Sequence, residues 1–169
     1  MKPLLCGLPR GSRIALALPG ADFADCYQFD DLWPNQSALE TYLTLVARTP
    51  GWNALMAMRN QAVRLVGLKH LGTLSTGIDR KPASDYTVGD RVGIFGIQHL
   101  QHDEVVLFDN DKHLHVQLSI IKHRVDGKPV VAMGTVVYIH NRLGRMYMSI
   151  VGPAHSLIVP HMLAQVAYA

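Results

Sequence analysis

The sequence predicts a single α+β domain: an antiparallel sheet carrying its helices on one face. Three observations predict it. Residues 37–66 repeat apolar side chains at helical spacing, residues 90–151 alternate them at period two, and the apolar stripe after Gly152-Pro153 returns to helical spacing. Helices and strands that fall in separate runs indicate an α+β rather than an α/β arrangement. A chain of 169 residues suits one domain spanning residues 1–169, large enough to bury a core without disulfide or metal staples.

Residues 1–20 are rich in proline and glycine (Pro3, Gly7, Pro9, Gly11, Pro19, Gly20) and read as an irregular N-terminal arm. The stretch "ADFADCYQFD" follows as a first strand, weighted by Phe23, Tyr27 and Phe29. Ser37 with Glu40 three residues on forms a capping box, and Leu39, Tyr42, Leu43 and Val46 continue it as a helix over 37–49. Pro50-Gly51 ends that helix. A second is expected over 52–66, with Leu55, Met56, Arg59, Val63 and Val66 on one stripe and Gly67 as its stop. Residues 69–89 form a long loop, a candidate gate. The segments "RVGIFGIQHLQ", "DEVVLFD", "KHLHVQLSIIKHR", "VVAMGTVVYIHN" and "RMYMSIV" read as five strands, with Asp126-Gly127 as a hairpin turn. Gly152-Pro153 ends the sheet. Leu157, Ile158, Met162, Leu163 and Val166 then stripe a closing helix, which Pro160 kinks or helps to start.

Composition excludes several classes. The net charge is +3 and the basic residues are scattered, so the chain lacks the Lys/Arg cluster with interleaved aromatics of a nucleic-acid binder. No stretch approaches the ~20 apolar residues of a membrane span. The run from Ile14 to Pro19 is too short for a secretion signal, so a cytoplasmic location is expected. The two cysteines, Cys6 and Cys26, read as free thiols in a reducing compartment. Charged residues make up only 17% of the chain, which leaves room for an internal cavity or a subunit interface. No nucleophile elbow, phosphate-cradling loop, H-E-x-x-H or C-x-x-C occurs, and no cofactor is expected.

The segments "ADFADCYQF", "PGWNALMAMRNQAVRLVGLK", "VGDRVGIFGI", "DEVVLFDNDKHLHVQLSI", "VVYIHNRLGRMYMSIV" and "GPAHSLIVPHML" occur in order along most of the chain. Together they resemble a bacterial family of unknown function, the domain-of-unknown-function family numbered 2867. The resemblance implies a START-like, polyketide-cyclase-like fold of the helix-grip type, in which a long C-terminal helix crosses the sheet and encloses a cavity. It brings no catalytic residues. Where it leads one to expect Phe-His, this chain has Ala154-His155; the histidine is kept, and the missing aromatic leaves more room beside the last helix.

Nine histidines are dispersed through the chain. His113 and His115 share one strand face with Gln117, Ser119, Ile121 and His123, a polar face expected to be solvated while Leu114, Val116, Leu118 and Ile120 face the core. A zinc site there needs further ligands, which His99 and His102 could supply only in a suitable register; no metal is expected. His155 opens the last helix. It either bonds a neighbouring carbonyl or acts as a pocket acid/base, with Asp25, Asp30 or Asp31 as partner. Arg59, on an apolar stripe, is a snorkelling side chain or a carboxylate clamp. The catalytic candidates are thus His155, Arg59 and Tyr27. The expected ligand-binding residues are Met133, Val137, Met146, Met148, Ile150, Leu157 and Met162, within a methionine-rich and adaptable lining. The first functional expectation is a module binding an apolar small molecule, lipid-like, aromatic or polyketide-like, between the sheet and the last helix. The second is a cyclase, dehydratase or hydrolase using dispersed pocket residues. The third is an interaction domain whose open sheet face pairs with a second copy, as a homodimer, or with an oxidoreductase.

Overall fold

The computed structural model describes residues 3–48 and 81–166. Within them seven strands form one antiparallel sheet. They are β1 (Leu4–Leu5), β2 (Phe23–Asp30), β3 (Arg91–Val92), β4 (Phe95–Leu100), β5 (Glu104–Asn110), β6 (Leu114–Val125) and β7 (Lys128–Ile139), in the spatial order β1-β2-β7-β6-β5-β4-β3. Among the described residues the α-helices are α1 (Ala38–Arg48) and α2 (Arg142–Val166). Short 3-10 turns occupy Ile14–Ala17 and Ala83–Asp85. The helix expected over 52–66, Arg59 with it, and residues 69–80 of the expected gate lie outside the described residues.

Local chemistry explains the junctions. At the start of α1 the Ser37 N–H donates to Glu40 Oε2 at 2.6 Å, and the Glu40 N–H donates to Ser37 Oγ at 3.2 Å, the reciprocal capping box. The turn between β6 and β7 holds Asp126 at φ 50° and Gly127 at φ 79°, the two left-handed residues of a type I′ hairpin. The expected single strand "RVGIFGIQHLQ" is instead two, because Gly93, at φ 62°, turns the chain between β3 and β4. Asn141 starts α2: its Oδ1 accepts the Gly144 N–H at 3.1 Å, while its Nδ2 donates to the Lys112 carbonyl at 2.8 Å.

The segment "RMYMSIV" is not a fifth strand but the first turns of α2. Its alternation also satisfies helical spacing, with Tyr147 and Val151 four residues apart on the buried side and Met146 and Ile150 four apart on the exposed side. Helix and strand cannot be distinguished by periodicity in so short an apolar run. Gly152-Pro153 therefore lies within a 25-residue helix, which also runs through Pro160.

Both faces of the sheet are covered. On one, Tyr27, Phe29, Leu107, Leu118, Ile120, Val131 and Met133 pack against Leu39, Tyr42 and Leu45 of α1 and Val159, Leu163 and Val166 of α2. On the other, the arm lies over the strands: Ile14 packs with Cys26, Val106, Ile121, Ala132 and Val136, flanked by Cys6, Leu8 and Ala17. Glu104 fixes this arm, accepting the backbone N–H of Arg13 at 2.8 Å and of Ile14 at 3.2 Å. The Tyr138 hydroxyl donates to the Ala17 carbonyl. The face of β6 expected to be open to water is therefore closed at its centre, and Gln117, Ser119 and Ile121 are buried.

Gly144 lies where α2 passes the turn between β5 and β6. A Cβ at this position would overlap the His113 carbonyl oxygen and press on the Ile139 side chain at 3.0 Å. Alanine normally improves a helix by up to ~1 kcal/mol over glycine. Here the backbone clash wins, and Gly144→Ala is expected to lower stability by about 1–3 kcal/mol in urea denaturation; an unchanged or raised midpoint would contradict this packing.

Candidate functional site

Strand β2 presents Phe23, Asp25, Tyr27 and Phe29 on the face that meets α2, because alternate residues of a strand share a face. His155, midway along α2, reaches down to this row. Its Nδ1 lies 2.9 Å from Asp25 Oδ2, and Phe23 meets its ring edge-on with centroids 5.9 Å apart. The Asp25 side chain is only 7% exposed and that of His155 17%. A carboxylate accepts and does not donate, so it fixes a proton on Nδ1 and orients the ring. The second oxygen of Asp25, Oδ1, is buried with no hydrogen-bond partner among the described residues.

Tyr27 completes the row. Its hydroxyl donates to the Ser156 carbonyl at 3.3 Å. In an unbroken helix that carbonyl would accept from residue 160, which here is proline and has no N–H. Tyr27 thus supplies the donor that Pro160 withholds. Burial and the neighbouring Asp25 charge raise its pKa, so the phenol stays a donor.

Tyr27 is directly opposite Met133 of β7 in the sheet register. Met133 belongs to a small apolar cleft where α1 and α2 meet over the sheet. Tyr42, Leu45 and Val46 line it from α1, and Val159, Met162 and Leu163 from α2. Its volume is about 20 Å³, room for about one water-sized group. Burial raises the Tyr42 phenol strongly and keeps it neutral there.

The structure therefore brings together His155, Tyr27 and Asp25, and separately Met133 and Met162. Val137 is buried on the same sheet face, opposite Phe23. Met148 packs beside Tyr147 and Val151, nearer the start of α2. Met146, Ile150 and Leu157 are 48%, 56% and 75% exposed and do not line the cleft. Met146 and Ile150 were expected inward from a strand that is a helix, whereas Leu157 was expected inward from the stripe of the closing helix and lies on its outer side. The lining from α1 and from Val159 and Leu163 was not anticipated, although the helical stripe of Tyr42 and Val46 was the signal that could have found it.

The histidines that opened the question of a metal do not converge. His115 is opposite Asn110 and Tyr138, whereas His99 is opposite Val106, which in turn faces Ser119 further along β6. His113 Nδ1 pairs with Asn141 Oδ1 at 3.1 Å and helps to hold the start of α2. His115 Nε2 accepts from the Gln117 amide at 3.1 Å, and its ring lies between Phe108 and Tyr138. Among the described residues no cluster of three or more His, Cys, Asp or Glu is placed to hold a metal ion.

The fold and site define an α+β domain with a long C-terminal helix anchored to the sheet by a largely buried Asp–His hydrogen bond. The chain belongs to the family described as "Protein of unknown function (DUF2867)", whose model matches residues 17–162. No curated protein and no solved structure matches the chain. Among the described residues no helix is long and apolar enough to cross a membrane.

Removing His155 leaves the nearly buried Asp25 side chain without its hydrogen-bond partner. His155→Ala should therefore cost about 1–3 kcal/mol in chemical denaturation. The double change Asp25→Leu with His155→Leu should recover most of that loss; no recovery would show that the loss does not come from stranding Asp25. A second expectation concerns pH. The folded-state pKa of His115 is lowered, first by burial and then by the nearby His140, with Asp109 opposing; that of His123 is lowered by burial. The unfolded chain, whose histidines titrate near ~6.5, then binds more protons than the folded one below that value. Stability from this source is complete above pH ~6.5 and is lost as pH falls through the folded values. Thermal midpoints between pH 7.5 and 5.5 should fall less for the double variant His115→Gln, His123→Gln than for the natural chain.

Proposed function

We propose that the chain is a START-like, helix-grip domain that binds an apolar small molecule between its sheet and α2. One observation carries this reading: the cleft under α2 is lined by apolar side chains at the site where Met133 and Met162 meet. Methionines are unbranched and adaptable, so a ligand larger than the resting cleft enters by displacing them rather than by breaking the sheet. Tyr27 is opposite Met133 in the sheet, and with the Asp25–His155 pair further along β2 it holds the helix that forms the roof. A lipid-like, aromatic or polyketide-like molecule fits such a lining.

The same pair supports a second reading. His155 Nε2 has no hydrogen bond to a described residue, and Nδ1 is fixed by Asp25. That is the arrangement of an oriented acid/base, and a cyclase, dehydratase or hydrolase could use it on a ligand held in the cleft. The reading as an interaction domain is weaker, since it relied on an open sheet face that the arm covers.

An apolar fluorescent probe should bind with saturation at one site. Met162→Trp should fill the cleft and weaken that binding at least tenfold, with a modest loss of stability, while Met133→Ala should enlarge it and retain binding. Absence of saturable binding, or binding indifferent to Met162→Trp, would overturn the cleft as the ligand site.

A further inference from the structure

The two cysteines meet where the arm crosses β2. The register of β1 on β2 pairs Leu4 with Gln28 and Leu5 with Tyr27. The next pair in that antiparallel series is Cys6 with Cys26, and the Cys6 N–H donates to the Cys26 carbonyl at 2.9 Å. Their sulfurs are 3.3 Å apart, with the Cys6 thiol also 3.6 Å from the Cys26 carbonyl oxygen. Both are free thiols, Cys6 half-buried and Cys26 buried. Side chains directly opposite on antiparallel strands have Cβ atoms ~4.5–5.5 Å apart, close to the ~3.5–4.5 Å span of a disulfide. A disulfide needs its sulfurs at about 2.05 Å, so closure requires only a local side-chain adjustment.

We propose that Cys6 and Cys26 form a reversible redox site, in which a low-molecular-weight disulfide converts the two thiols into a cross-strand disulfide that latches the arm to the sheet. The Cys6 thiolate attacks one sulfur of the oxidant, the oxidant's S–S bond breaks, and one thiol leaves. Cys26 then attacks the Cys6 sulfur of the mixed disulfide and expels the second thiol. The chain gives up two electrons and two protons, and the oxidant leaves as two thiols. Access sets the order, because only Cys6 is reachable from solvent. Burial, the Cys6 side chain and the Asp25 charge all push the Cys26 thiol strongly upward, which makes it the slower, resolving partner.

The latch would close a loop that contains the 3-10 turn at Ile14–Ala17 and the arm's cover over the second sheet face. Cross-linking a loop of this length restrains the unfolded chain. The oxidised form should melt roughly 5–10 °C higher.

The test treats the full chain with oxidised glutathione, blocks remaining thiols with an alkylating reagent, and reads intact mass and non-reducing peptide maps. The expected result is a loss of two hydrogens, no alkylation, a Cys6–Cys26 cross-linked peptide, the higher melting midpoint, and reversal of all four by dithiothreitol. Cys6→Ser should show neither cross-link nor glutathione adduct, and the wild-type map decides the matter even if that variant folds poorly. A glutathione adduct that persists on Cys6, two alkylated cysteines after oxidation, or a cross-link that leaves the midpoint unchanged would each overturn the proposal.

Discussion

Val131, Ala132 and Val136 of β7 and Ile120 of β6 are completely buried, although neighbouring residues of a strand point to opposite faces. The middle of the sheet thus meets protein on both sides. That two-sided burial is the constraint from which the rest follows. A strand with one wet face alternates polar and apolar residues; one covered twice carries a continuous apolar run, as "VVAMGTVV" does in β7. Two covers are then required, and the chain supplies them from different places. The helices close one face, and the glycine- and proline-rich arm closes the other.

Covering both faces traps polar groups between layers, and each must find a partner or impose a cost. Several of these groups serve as fasteners. Glu104 holds the arm's first turn by two backbone N–H groups. Lys122, nearly buried, donates to the carbonyls of Trp33 and Gln36 at 2.6 Å each and pairs with Asp31 at 3.1 Å. It thereby fixes the connection between β2 and α1. Asp25 does the same for α2 through His155. The three carboxylates lie at three different joints, so the layers are pinned at points while the apolar surface between them supplies most of the attraction. Atoms that escape this scheme, Asp25 Oδ1, Ser119 Oγ and His123 Nε2, are all buried without partners among the described residues.

Much of the fold was legible in the residues. The capping box at Ser37 and Glu40, the Asp126-Gly127 hairpin and the alternation of β5 and β6 depend on contacts a few residues apart, which local sequence records. Two features depend on distant parts of the chain. "RMYMSIV" satisfies both periods, and only the Asn141 cap with its hold on Lys112 selects the helix. The polar residues of β6 look solvated until the arm is placed over them, and no periodicity reports a cover supplied from a hundred residues away. The candidate site divides in the same manner. The His155 and Asp25 pairing could be anticipated by residue type alone, whereas the cleft needed the meeting of α1 with α2. Met146 and Ile150 were assigned inward from a strand that does not exist, Leu157 from the stripe of the closing helix, and all three are exposed.

Pro160 and Tyr27 have a consequence for how this sequence can change. The carbonyl of Ser156 has lost its helical donor to the proline and gained one from the phenol. If residue 160 acquired an N–H, the helix would bond that carbonyl again, and because a carbonyl oxygen accepts two hydrogen bonds the phenol would keep its acceptor. If residue 27 became phenylalanine while the proline stayed, the carbonyl would be orphaned instead. Loss of the phenol is thus penalised only while the proline stays. A change at residue 27 should therefore be tolerated after one at residue 160 but not before it, so that a tyrosine in β2 and a proline in α2 share one evolutionary history.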